Sequence, residues 1–421
     1  MDSKAFSFRH YLATIGTSNL AMGLHTVLYP WLVIGVLNES PSRLGLAQLA
    51  VLLPNLLFIL PGGVISDRRH RGSWLSRLYL LYAFPIAILA GAAASGELTF
   101  SLLLMFGMAY GTVSAFVQPA RESLLGYAPQ NSMHQAVAKA VMVQFLAQGV
   151  GFILAGQIDD IGLTTLLCVQ ISMFVLSSLL IKRSHPEQEV DAELLATLER
   201  QQDETEANTK AVNQKQTLRE LRAGFALFLT DKRLLHLLLL VSATGFLGFG
   251  VYLVGMPLLA SQSYMGGAGL YATFQVIFTL GIVSANFLVS RRKDTFKRPG
   301  RLMIISFLGR GALVCVIATA PNFWLLLPAI YIWGAFSGMS MTLGRTILHN
   351  QVPHSHRSRA ASVYQLCLFG GAPIGAWACG FAIEHVGLTQ TFTAIAVMTM
   401  VVSIVAALGS PLWHLKTVKS D

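Results

Sequence analysis

Few residues of this chain have chemistry to offer, and most of those sit in apolar surroundings. The densest set is Gly63-x-x-x-Asp67-Arg68-x-x-Arg71, within P-G-G-V-I-S-D-R-R-H-R-G, Pro61 to Gly72. A glycine there lets a neighbouring helix approach closely. The aspartate is an anion that can face a helix N-terminus, and the arginines can pair with carboxylates or phosphates. That is the chemistry of a latch; a plain basic turn would not need Asp67. His25 could exchange a proton, since an unperturbed imidazole titrates at about 6.5; a hydrogen-bonded structural histidine is the plainer alternative. Gln144 and Gln148 are spaced i, i+4 and share a helix face, serving either a ligand or a neighbouring helix. Arg310 follows Arg301 by about 13 Å of helix, at about 1.5 Å per residue, inside an apolar run. A charge at that depth is costly and calls for a functional explanation, a structural pairing or contact with polar backbone.

The elements that position these residues are apolar helices. The chain has 421 residues, is 54% hydrophobic and 12% charged, and has a mean hydropathy of +0.58. That is about half the charge fraction of a soluble protein. A membrane span needs about 20 mostly apolar residues, and twelve such runs can be drawn. The first covers Phe8 to Val36, and the second starts near Ser42 and leads into the Asp67 segment. The next four cover Trp74–Ala94, Leu98 to Gln118, Gln135–Ile158 and a run ending at Lys182-Arg183. Six follow: Leu234–Leu258, Leu270–Ser290, Leu302–Ala320, Phe323–Thr342, Ala361–Ile383 and Leu388–Gly409. The fold class expected is an all-α integral membrane protein with 12 transmembrane helices. The first run is too long for the core of a cleavable signal peptide and is read as a span.

Of the 30 Lys and Arg, all but Arg43 and Arg310 fall in segments that would share one face of the membrane. This asymmetry puts both termini in the cytoplasm of a multi-pass inner (plasma) membrane protein. It also accounts for the net charge of +10 without a nucleic-acid partner. Cys168, Cys315, Cys367 and Cys379 lie within apolar runs without metal-ligand spacing and read as buried, reduced residues. No metal or cofactor is expected. The stretch from Glu187 to Glu206 carries eight acids against the single base Arg200 and reads as a solvated linker. Leu218 to Leu229 follows as a basic amphipathic helix on the inner membrane face. The domains expected are a six-helix half at 1–183, this linker with its helix at 184–232, and a second six-helix half at 233–421.

The two halves can be compared directly. At a constant offset of 224 positions, Arg121 matches Arg345, Pro129 matches Pro353, Ala136 matches Ala360, Gly151 matches Gly375 and Gly156 matches Gly380. A shared arginine and proline in equivalent loops point to a parallel repeat. The four glycines are expected at close helix contacts, which small residues permit in lipid. The second-half loop, Arg291 to Arg301, keeps the basic charge and lacks the glycine–aspartate register.

The latch segment resembles the loop between helices 2 and 3 of the major facilitator superfamily, with His70 where the usual pattern has glycine. Adding F-x-x-P-A-R at Phe116 to Arg121, the glycine-rich fifth span and the helix before span 7, the chain resembles the enterobactin-exporter-like branch. The resemblance implies two six-helix pseudo-repeat halves that rock about a central cavity. It implies a gating role for Gly63, Asp67, Arg68, Arg71, Arg121 and Arg345, with Asp67 near Arg121 and the start of helix 11. It also puts cavity walls on helices 1, 4, 5, 7, 8, 10 and 11. There Asn19, His25, Tyr110, Gln144, Gln148, Tyr252, Gln275, Trp333 and Gln365 would supply hydrogen bonds and aromatic surface without fixed negative charge. Such a wall suits a neutral or anionic amphipathic molecule better than a metal ion.

None of the 20 Asp and Glu falls mid-span, so a proton-coupled carrier would lean on His25, with Asp67 as the fallback. The function expected is secondary-active export of small organic molecules, siderophore-like or drug-like. The chain would work as a monomer in the lipid bilayer, with protons as a candidate coupling ion. An importer, a lipid-translocating member and a non-transporting sensor are the alternatives. An enzyme is not expected: there is no H-E-x-x-H, no membrane aspartate pair and no Ser/His/Asp set.

Overall fold

A computed structural model describes residues 7–68, 71–125, 133–184, 228–291, 298–352 and 357–415. In hydrocarbon a backbone must satisfy its own polar groups, and a continuous helix does this within one segment. The apolar runs obey. Among the described residues, twelve helices are long and apolar enough to cross a membrane. They are α1 (Phe8–Val36), α2 (Pro41–Arg68), α3 (Arg71–Ser95), α4 (Phe100–Leu125), α5 (Met133–Gly156) and α6 (Leu163–Ser184). The second set is α7 (Lys232–Ser263), α8 (Ala268–Arg291), α9 (Pro299–Ala318), α10 (Phe323–Gln351), α11 (Arg357–Gly370, resumed at Ala372–Val386) and α12 (Leu388–Gly409). Large apolar side chains such as Phe84, Met105, Leu146 and Val405 are exposed on the outside of the bundle, as lipid-facing residues should be.

Several expected boundaries move. P-A-R does not end span 4: Pro119, Ala120 and Arg121 lie inside α4, which runs on to Leu125. Span 10 extends past Thr342 to Gln351. The expected loop at the latch is mostly helix, since α2 continues through Pro61 to Arg68 and α3 starts at Arg71. Among the cysteines only Cys379 is buried, while Cys168 is exposed on α6; an apolar thiol costs little against lipid. The acidic stretch and most of the amphipathic segment lie outside the described residues.

Backbone contacts show the repeat. The turns from α5 to α6 and from α11 to α12 each bend at a glycine with positive φ, 87° at Gly162 and 95° at Gly387. A Cβ on Gly111 of α4 would strike the Val51 carbonyl of α2, and one on Gly334 of α10 would strike the Phe278 carbonyl of α8. In the same way Gly151 sits on the Leu20 carbonyl of α1, and Gly375 on the Phe246 carbonyl of α7. α7 carries three π-helical turns, Thr244–Gly248, Val251–Gly255 and Leu259–Ser263, whereas α1 has one, Leu32–Val36. Each widened turn accommodates an extra residue, which fits the greater length of α7.

Candidate functional site

The halves meet at the end of the bundle where α2 begins and α11 finishes. A Cβ on Gly45 would lie 2.9 Å from the Ala376 carbonyl oxygen, and one on Gly380 would strike the Pro41 carbonyl. The Ser42 backbone N–H donates to Glu384 Oε2 at 2.9 Å, fixing the same α2–α11 crossing. The α5–α8 crossing is the counterpart. A Cβ on Gly156 would fall 2.8 Å from Ala272 Cβ and 3.1 Å from Gly269 Cα. Tyr271 of α8 donates its hydroxyl to the Thr26 carbonyl of α1 at 3.3 Å. In bilayer solvent, backbone approach of this kind is what drives helix association. Gly151, Gly156, Gly375 and Gly380 each lie at a close approach between two helices.

The latch lies at the opposite end. Its side chains at Asp67, Arg68 and Arg71, and the surroundings of Gly63, lie outside what the structure describes. The neighbouring Gly62, not singled out from the sequence, makes the close approach: a Cβ there would lie 2.6 Å from the Ala115 carbonyl of α4. Arg121 is half-buried with its Nη1 lacking a hydrogen-bond partner, and its carbonyl accepts from the Tyr11 hydroxyl at 3.3 Å. Arg345 is exposed.

The residues expected to line one cavity separate into distinct groups. In the first half, His25 lies flat on Tyr110, with ring centroids 3.7 Å apart, and stacks on Tyr29 at 5.2 Å. Tyr82 tilts against Tyr110 at 4.6 Å and stacks on Phe174 at 4.7 Å. Asn19 turns back on its own helix, donating to the Ile15 carbonyl at 2.8 Å. Gln275 is fully buried and donates to the Tyr271 hydroxyl at 2.9 Å, leaving its Oε1 unpaired. Gln144, Gln148 and Gln365 are half-buried.

Tyr252 and Trp333 come together in the second half. They flank Phe278, at 4.9 Å and 4.8 Å between centroids, on the wall of a cavity of about 220 Å³ lined by α7 to α11. Arg310 of α9 lines the same cavity. It is 7% exposed, and its Nε has no hydrogen-bond partner. Among the described residues the salt bridge recorded is Arg43–Glu39, far from it. The structural pairing open to Arg310 from the sequence therefore finds no described acid, and the guanidinium instead lies 5.1 Å from the Phe307 ring centroid. No group of three or more metal-ligating side chains occurs among the described residues.

Two six-helix halves, repeated in parallel and meeting on glycine crossings, define a membrane transporter of the major facilitator fold. The chain matches the transmembrane secretion effector family over residues 4–421, and it belongs to that family. Among solved structures it is similar to a D-xylose–proton symporter, at TM-score 0.71 and 15% identity, over 98% of this chain and 99% of that one. A POT family transporter in complex with a thioalcohol-conjugated peptide matches at TM-score 0.71 and 12% identity, over 97% and 96% of the two chains. A bacterial homolog of the human lysosomal transporter Spinster, inward-facing and occupied, matches at 0.67 and 15% over 98% and 97%. A search of curated proteins found no match.

Proposed function

We propose that this transporter exports small amphipathic organic molecules, siderophore-like or drug-like, by alternating access of its two halves. The cavity of α7 to α11 carries the reading: an aromatic and apolar wall, a few hydroxyls and no carboxylate among its lining. Such a wall favours an organic molecule over a metal ion. The distribution of basic residues supports an orientation with the Pro41 and Val386 end outside, in which the halves are closed on the outer face and the linker is cytoplasmic. The description of the family as secretion effectors supports the outward direction. The likeness to a proton symporter favours protons as the coupling ion, with His25 as carrier. In this scheme Gly63, Asp67, Arg68 and Arg71 with Arg121 and Arg345 hold the inner ends together once the cavity turns outward.

Everted membrane vesicles with an imposed pH gradient, given a panel of labelled amphipathic compounds, test the proposal. Accumulation without ATP, lost when the gradient is dissipated, is expected. Accumulation confined to right-side-out vesicles would make the chain an importer. Movement of labelled phospholipid between leaflets would make it a lipid translocator, and no movement of any compound would favour a sensor. A reporter fused after Asp421 or within residues 184–217 should be cytoplasmic; periplasmic activity at either site would reverse the direction assigned here.

A further inference from the structure

We infer that the α7–α11 cavity is an anion-selective subsite in which the Arg310 guanidinium receives the acidic head group of an amphipathic substrate. The inference deepens the export reading and rests on it for the word substrate, though not for the binding event. A cation taken out of water is costly unless it is paired and hydrogen-bonded. Arg310 meets that cost with one aromatic ring, Phe307, while its Nε is left unpaired.

The surroundings leave room for a partner. Gly248 of α7 faces the guanidinium so closely that a Cβ there would stand 2.6 Å from Nη2. The residue next to the arginine's tip is therefore one that yields space to it. Thr244, Ser337 and Ser340 line the same cavity; their hydroxyls donate to the Leu240, Trp333 and Ser337 carbonyls of their own helices, and on rotating would donate to an oxyanion. Beyond them Tyr252, Phe278 and Trp333 offer flat apolar surface for a body attached to that head.

A guanidinium binds carboxylate, sulfonate or phosphate oxygens through a planar fork. A monoanion with a flat or aliphatic body therefore fits every wall of the site. A cation would meet Arg310 at close range, and a neutral body would leave its charge unanswered.

The test uses two probes that share their rings and differ in charge: anilinonaphthalene sulfonate and the neutral phenylnaphthylamine. The purified full chain in a non-ionic maltoside detergent is titrated with each, reading energy transfer from tryptophan to probe. The sulfonate should bind the wild type more tightly than the amine by about tenfold or more, as expected for a charge-assisted contact in a buried site. Arg310→Gln should abolish that preference and leave amine binding unchanged, and Arg310→Lys should keep part of it. Equal affinity of the two probes for the wild type, or an unchanged preference in Arg310→Gln, would overturn the inference.

If Arg310→Gln does not fold, competition on the wild type decides. Decanesulfonate should displace the bound sulfonate and decanol should not; equal displacement by both would also overturn it. In phosphatidylcholine nanodiscs, displacement by added phosphatidylglycerol would identify the anion as a lipid head group, and displacement by decanesulfonate alone a soluble one. Both assign an anion to Arg310. A chain that prefers the sulfonate yet accumulates nothing in everted vesicles would sink the export reading and leave this site standing.

Discussion

Tyr110 and Trp333 occupy matching places in the two halves. Each directly precedes the glycine, Gly111 or Gly334, on which its helix crosses a neighbour's backbone. Tyr110 lies flat on His25 and is itself backed by a tilted Tyr82, so a cluster of rings lines the interior of the first half. Trp333 meets Phe278 edge-on and leaves a cavity beside it, with Arg310 on the far wall. The crossings are repeated and the fillings are not. Backbone contacts set where the helices lie, so side chains between them can differ without altering the joints.

The largest effect should come from breaking a joint. Gly380→Val places side-chain atoms against the Pro41 carbonyl, and overpacking of this kind costs about 1–3 kcal/mol, about 5- to 150-fold in an equilibrium between states. Transport should fall tenfold or more. In a background of Cys168→Ser, Cys315→Ser and Cys367→Ser, the buried Cys379 should become labelled by an impermeant maleimide. Continued protection of Cys379 with normal transport would remove this crossing from the gate. Gly156→Val tests the symmetry of the pair. Its nearest obstacle is the Ala272 methyl rather than a carbonyl, so its loss of transport should be severalfold smaller than that of Gly380→Val. An equal or larger loss would show that the two crossings do not share the load as their geometry implies.

The first half is probed at His25. His25→Gln keeps hydrogen-bonding capacity but cannot titrate, so binding should persist while the accumulation driven by an imposed pH gradient falls severalfold. Unchanged accumulation would make the stack a structural plug and place coupling elsewhere. The smallest effect is expected at the proposed latch, whose glycine–aspartate register occurs in the first-half segment and not in Arg291 to Arg301. Asp67→Asn removes an anion that gains about 0.3–1 kcal/mol at an exposed helix terminus. Transport should fall about two- to fivefold at unchanged membrane levels, and wild-type rates would dismiss the latch.

The helices were legible because hydrocarbon leaves little choice: an apolar run of sufficient length is a helix, and twelve such runs gave twelve. The glycines at 151, 156, 375 and 380 stood out in the sequence because a repeat marks positions twice. The close approach of Gly62 to α4 was not read from the sequence, because spacing does not say how near a neighbouring backbone comes. The cavity residues were only partly legible. Polarity within a span says that a side chain avoids lipid, but Asn19 meets that need on its own helix and Gln275 meets it on Tyr271. Arg310 was visible as a buried charge, yet the space beside it depends on Gly248 and on five helices packing around it, which no local pattern encodes.

The two crossings that shut the halves together also differ in how their damage could be repaired genetically. At Gly156 the nearest opposing atom is a methyl group, so an alanine introduced there has a possible suppressor, Ala272→Gly, which removes that atom and leaves the Gly269 Cα at 3.1 Å. At Gly380 the opposing atoms are the Pro41 carbonyl and the backbone of Gly45, which no substitution can make smaller. Suppressors of a Gly156→Ala lesion should therefore be recoverable at codon 272. For a Gly380 lesion, side-chain change at the contact offers no remedy, and recovery at that contact requires reversion of codon 380 itself.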